Sequence, residues 1–302
     1  MKRNIYSYSK LWMIFFVLMG AACTHQVEDA IPVSGQPIEF SVQSDWKEIP
    51  NTRLNEGIKK FKAGDKIQIF CFHKYSSEGE VKFMYRVNDP KKQRGQIVTF
   101  DGTNWNYSPK RFWPKEGTLD FYASYPEYSV LNEKDKMTYV QPDFNPLGVD
   151  LLWGLATDRK CAEAETVPIW MVHALAKVNI FFDSSLGDIK QAKVSAYKAG
   201  DFSYAADNGV PLWNVDDKTD IIQATIPKEP TKIGDVTVFI LPDRITGLIL
   251  TKLDGTVIDA SEEIKKHTFE AGKVYNLTIS KGVQKKNTNS RSIAMSVRCV
   301  SE

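Results

Sequence analysis

Carboxylates, imidazoles, thiols and flat aromatic rings are the groups in this chain that could do chemistry, and their spacing limits what they can do. Asp216-Asp217 and Glu262-Glu263 are adjacent pairs. On a strand such neighbours point to opposite faces, so neither pair is placed for joint acid and base work. His173 sits in the apolar run VPIWMVHALAKVNIFF (167–182) with no partner His or Cys close in sequence, and it reads as a packed, hydrogen-bonded histidine rather than a base or ligand. Cys71, Cys161 and Cys299 are scattered without metal-ligand spacing, and with Cys23 they do not make a disulfide framework. Cys71 lies in an apolar run, as a small core hydrophobe does. No G-x-S-x-G elbow, H-E-x-x-H pair or phosphate loop occurs. The chain therefore reads as non-enzymatic, with no catalytic residue, metal or cofactor expected. The rings are densest in WNYSPKRFWPKEGTLDFYASYP (105–126), where seven residues are Trp, Tyr or Phe. Exposed and coplanar, Trp105, Tyr107, Phe112 and Trp113 could stack on sugars; buried, they are the aromatic layer of a β-domain. The second reading is favoured, because buried aromatics dominate core energetics wherever they occur.

The 302 residues are enough for two domains with a core each, and 25% charged against 42% apolar is a globular balance. The formal charge of +2 includes Lys2, Arg3 and Lys10; without them 36 bases face 37 acids. So even a balance gives no footprint for nucleic acid, and short basic patches such as Lys91 to Arg94 read as solvated loop charge.

Residues 1–22 have a basic start, the apolar run LWMIFFVLMGAA and small residues before Cys23. That layout is a secretory signal, shorter than the ~20 apolar residues of a spanning helix. GAAC (20–23) resembles the lipobox of bacterial lipoproteins, with Gly20 where Leu is usual, and the resemblance implies that Cys23 is lipidated. Each buried methylene of a lipid contributes about 0.8 kcal/mol, so several chains would hold a domain at a membrane. The polar stretch 23–36 then suits a lipid-anchored tether.

The remainder has the texture of an all-β protein. PIEFSV (37–42) alternates, and FKAGDKIQIFCF (61–72) is a Gly-Asp turn feeding a buried strand. Val81, Phe83, Tyr85 and Val87 alternate with Lys82, Met84 and Arg86, which predicts one dry and one wet face. Ile97 to Phe100 leads through the turn DGTN into the aromatic stretch, where Pro109, Pro114 and Pro126 break short strands. The run 167–182 is too long for one ordinary strand. Val236 to Leu241, the hairpin around Asp254-Gly255 and FEAGKVYNLTI (269–279) continue the pattern, while LGDIKQA (186–192) could form a turn or two of helix. The polar segment 157–166 marks a divide, placed somewhere between 157 and 187, giving an N-terminal sandwich over 37–160 and a C-terminal one over 161–281. In 282–302 a polar linker precedes SIAMSVRCV, with Ile293, Met295, Val297 and Cys299 on one face. Such a strand can close its own sheet or pair with an exposed edge on another molecule, closure being favoured by effective concentration.

Taken together, FKAGDKIQIF (61–70), WNYSPKRFWP (105–114), GTLDFYASYP (117–126), DLLWG (150–154), HALAKVNI (173–180) and FEAGKVYNLTI resemble the fimbrillin-like lipoproteins of Bacteroides-type anaerobes. The resemblance implies two transthyretin-like β-sandwich domains in tandem. It also implies a structural, tip or anchor subunit of surface fimbriae, held at the outer membrane through Cys23, joined to other subunits by β-strand exchange and contributing to adhesion to a host or bacterial receptor or glycan. Members of this kind are cleaved after an arginine near the first strand, which opens a groove for a donor strand. Arg53 lies where that arginine is expected, and an uncut loop arginine is the alternative. The ending SVRCV resembles instead the close of a different secreted β-module. A carbohydrate-binding surface lipoprotein using exposed aromatics is the competing function.

Overall fold

A computed structural model describes residues 33–44, 61–75, 79–127, 130–133, 136–203, 211–215, 220–228, 234–281 and 295–301. The first half supplies β1 (Val33–Pro37), β2 (Phe40–Ser44), β3 (Lys66–Tyr75), β4 (Gly79–Met84), β5 (Gln96–Phe100), β6 (Trp105–Asn106), β7 (Phe112–Pro114), β8 (Thr118–Tyr125), β9 (Val130–Glu133), β10 (Lys136–Val140), β11 (Leu152–Lys160) and β12 (Val167–His173). The second supplies β13 (Ala176–Phe182), β14 (Ile189–Tyr197), β15 (Ala199–Ser203), β16 (Leu212–Asn214), β17 (Ile221–Pro227), β18 (Val236–Ile240), β19 (Ile245–Lys252), β20 (Val257–Asp259), β21 (Val274–Lys281) and β22 (Met295–Ser301). A single turn of helix, α1 (Ser261–Ile264), follows β20.

An eight-stranded sheet dominates the first half, in the order β2-β12-β11-β8-β3-β5-β6 with β4 beside β3. Its central strands are covered on both faces. Along β8, Leu119, Phe121 and Ala123 point into one apolar cluster with Ile38, Phe40, Trp105, Tyr107 and Trp113. From the opposite side of the pleat, Tyr122 enters a second cluster with Phe70, Phe72 and Trp153. Burial on both sides explains why β3 reads as an unbroken apolar run. Gly154 is needed where β11 meets β12, since a Cβ there would stand 2.5 Å from the Trp170 carbonyl oxygen.

The second half is a sandwich of two four-stranded sheets, β18-β13-β21-β22 and β17-β14-β19-β20. Val178, Ile180, Leu277 and Ile279 of one meet Ala192, Val194, Leu248 and Leu250 of the other. The Asp254-Gly255 hairpin forms as expected, with Gly255 at φ 84°. A further sheet, β16-β15-β10-β9, draws strands from both halves. The run 167–182 is two strands in two sheets, passing from one to the other at Ala174 and Leu175. The polar segment 157–166 lies inside the large sheet, as the end of β11 and its turn into β12.

Three local expectations fail. Around β4, Met84 and Tyr85 are buried beside Phe83 while Val81 and Val87 are exposed. The cause is a bulge: Cys71 pairs with Met84 but Phe72 pairs with Lys82, so the alternation breaks at Phe83. The segment 186–192 is mostly strand, because Ile189 and Ala192 are claimed by the second core, and only a 3-10 turn at Ser184–Leu186 remains. Glu262 and Glu263 lie on α1, where they pair with Lys265 at 2.9 Å and Lys266 at 2.7 Å; they are solvated helix charge.

Candidate functional site

Hydrogen-bonding strand edges and apolar seats are what the described residues of this architecture offer. β2 is an edge strand that pairs in parallel with β12, Phe40 facing Val167 and Ser44 facing Met171. It enters the large sheet because Ile38 and Phe40 are apolar at period two and the core has a place for both: they are 0% and 6% exposed. The Phe40 ring packs edge-on against Phe121 at 5.6 Å and tilted on Tyr107 at 5.7 Å. Its backbone is tied down as well. Ile38 N–H donates to the Arg111 carbonyl at 2.9 Å, the Tyr107 hydroxyl to the Ile38 carbonyl at 2.8 Å and Val167 N–H to the Glu39 carbonyl at 2.8 Å. Burial pushes the Tyr107 phenol up to about 12 despite the opposing Arg111 hydrogen bond and charge.

The second edge is the C-terminal strand. β22 pairs antiparallel with β21 of its own chain, Met295 opposite Lys281, Val297 opposite Ile279 and Cys299 opposite Leu277. Closure in cis is thus the arrangement observed. Ile293 lies outside the described residues, as do Cys23, Arg53, Asp216 and Asp217.

The aromatic stretch is packing, not a platform. Trp105, Tyr107 and Trp113 are buried, the last at 1% exposure, and Phe112 alone of the four is exposed, at 39%. Three of four rings are spent on the core, so a coplanar sugar-stacking surface does not form there. His173 is half-buried, with Nδ1 at 2.6 Å from the Asp150 carboxylate. Cys71 and Cys161 are free and buried. Burial raises both thiols, Cys161 to about 11, which keeps them unreactive. Among the described residues no group of three or more His, Cys, Asp or Glu could hold a metal ion. None of the described helices is long and apolar enough to cross a membrane. A cleft of about 610 Å³ lies between Leu212–Val215 and Phe269–Lys273, where the Trp213 indole N–H turns inward to the Ala174 carbonyl at 2.7 Å.

Sequence reasoning located the apolar pattern of 37–42 but not its pairing with β12. No sequence signal identifies a parallel partner more than a hundred residues away.

These features define an all-β protein built from stacked sheets with strands at exposed edges. The fimbrillin-like family model matches residues 52–294, most of the chain, and the chain belongs to that family. Membership places it, as a class, among fimbrial and adhesion proteins of the cell surface. The crystal structure of a candidate cell adhesion protein from Bacteroides uniformis superposes with a TM-score of 0.53 at 16% identity, over 88% of this chain and 97% of that one. One described in the same terms from Bacteroides ovatus gives 0.54 at 13% identity, over 88% and 96%. At these identities the likeness shows the fold alone. No curated protein matches the sequence.

Proposed function

We propose that the chain is a non-enzymatic, lipid-anchored surface subunit of fimbriae, in a structural, tip or anchor role, that joins its neighbours by β-strand exchange. Its two halves are read as tandem domains that divide within 157–187, a span that includes the crossing between sheets at Ala174 and Leu175. The observation that carries the reading is the place of β2: it lies N-terminal to Arg53 in sequence, at the edge of the main sheet, with its Phe40 and the preceding Ile38 seated in the core.

Cleavage after Arg53 would cut β2 from the body of the protein. Its departure would bare the backbone edge of β12 and the seats of Ile38 and Phe40, each stabilising by about 2 kcal/mol when filled. An incoming strand would satisfy both at once. Met295, Val297 and Cys299, with Ile293 before them, are the candidate donor. They lie on an edge strand that can leave its sheet without breaking a second ladder. Uncut, with Cys23 acylated, the chain would stay anchored at the outer membrane and its groove would stay filled.

Intact mass and N-terminal sequencing of protein released from its native membrane test the reading, together with an Arg53→Ala variant. An acylated Cys23 on uncut protein, a start at residue 54 in polymerised protein, and monomers only from Arg53→Ala are expected. Protein recovered without lipid in the soluble fraction, and unable to form ladders after cleavage at Arg53, would sink it.

A further inference from the structure

The loop between β4 and β5 gathers an uneven charge. From 82 to 94 the chain carries Lys82, Arg86, Lys91, Lys92 and Arg94 against Asp89 alone. Asp89 is occupied elsewhere: its carboxylate accepts backbone N–H groups from Lys91 at 3.1 Å, Gln93 at 2.7 Å and Arg94 at 2.6 Å. Desolvation opposes them, but those bonds hold its pKa below the usual carboxylate range. The carboxylate thus shapes the loop while its oxygens are turned to amides.

The cations are brought together by the backbone. Arg86 N–H donates to the Arg94 carbonyl at 2.8 Å, which sets the two residues side by side along the backbone, close enough for the Arg94 charge to act on Arg86. Lys82 Nζ donates to the Lys92 carbonyl at 2.8 Å, and Lys92 Nζ lies 4.5 Å from the centre of the Tyr85 ring. Among these groups Arg86 is the anomaly. Its Nε and Nη2 are buried and have no hydrogen-bond partner, a costly state for charged donors. Its pKa is lowered, first by desolvation and then by the Arg94 charge, with Glu127 and Asp89 offsetting only part. Lys82 is lowered as well, mainly by desolvation. Two cations held together at such a cost are explained by an anion that accepts from both.

We propose that the β4–β5 loop is a binding site for a tetrahedral oxyanion, a phosphate or sulfate group, with Arg86 as its half-buried ligand and Arg94 as its exposed one. The planar guanidinium fork suits this shape, since two parallel N–H bonds meet two oxygens of the anion. The site is separate from the strand edges and does not depend on how subunits assemble.

The purified full chain is titrated with sodium phosphate and sodium sulfate, with sodium chloride at matched ionic strength as control, following heat of binding and Tm. Phosphate or sulfate should bind and raise Tm beyond chloride. Arg86→Met should weaken binding about tenfold or more, the loss of charge-assisted bonds. In chloride the same variant should be at least as stable as the wild type, because it removes a half-buried charge whose Nε and Nη2 have no partner; a merely structural arginine would give the opposite. Arg94→Gln, at an exposed position, gives a second loss of binding with the fold intact. Phosphatidylcholine vesicles with and without phosphatidic acid separate the sources. Retention on phosphatidic acid that Arg86→Met abolishes assigns a lipid-borne phosphate, and binding of free phosphate alone assigns a soluble one. No effect beyond chloride from either anion or from the vesicles, or full binding by both variants, overturns the proposal.

Discussion

The two halves of the molecule fill their interiors with different material. In the first, six of twenty clustered buried residues are aromatic, and Phe61, Phe100 and Tyr125 add partly buried rings at the rim. In the second half's cluster only Phe269 and Tyr275 among twenty-four are aromatic, the rest being Ala, Val, Leu and Ile, most of them on facing sheets. The difference follows from architecture. Two regular sheets about 10 Å apart are filled by branched aliphatic chains. The first half instead closes one face of its sheet with loops and the short pair β1–β7, and large rings are needed to span that irregular gap. A core closed by loops is also one in which a peripheral strand, β2, contributes directly to the filling.

Paired truncations should sharpen the contrast. Phe121→Ala removes a ring that meets both Phe40 and Trp113, and about 4 kcal/mol of stability should go with it. Leu250→Ala in the aliphatic sandwich should cost about 3 kcal/mol. Urea unfolding gives the magnitudes, and amide hydrogen exchange shows whether each truncation opens its own half or both. Opening of both halves by either change would mean that the two cores unfold as one unit.

A smaller effect belongs to the first half alone. Tyr107 is held near 12 against 10.0 for the free phenol, chiefly by burial. An acid that binds its proton more tightly when folded lends stability that is complete below pH 10 and disappears as pH rises through the folded value. The loss between pH 10 and 12 should be about 2 kcal/mol, and Tyr107→Phe, which has no proton to lose, should flatten that part of the profile. An unchanged alkaline profile in the variant would break the assignment.

The smallest expected effect tests the second half's polar seam. Thr237 donates to the buried Asn179 side chain at 3.0 Å, and Asn179 donates to Asn276 at 3.0 Å. Thr237→Val should cost about 1 kcal/mol. A neutral result would make the seam dispensable and leave the aliphatic packing as the whole of that half's stability.

Legibility in the sequence followed locality. The turns at Gly64-Asp65 and Asp254-Gly255 and the alternation of Tyr275, Leu277 and Ile279 were readable because each signal and its consequence lie within a few residues. Met84 was misplaced because a bulge is set by the partner strand, not by the strand that carries the pattern. The β10–β15 pairing had no local trace at all. The basic loop was legible as charge, but the burial that strands Arg86 without an acceptor depends on where Tyr85 and β5 fold around it. Cys23, Arg53 and Ile293 remain readings of sequence and lie outside the described residues.

The ladder between β10 and β15 bears on mechanics. It joins Lys136–Val140 of one half to Ala199–Ser203 of the other through five consecutive residue pairs, with Lys136 and Thr138 both engaging Asp201. A tensile load that drew the halves apart would have to rupture this brace as well as stretch the short link at Ala174 and Leu175. Under such a load the two halves are held by a hydrogen-bonded ladder and not by the covalent link alone.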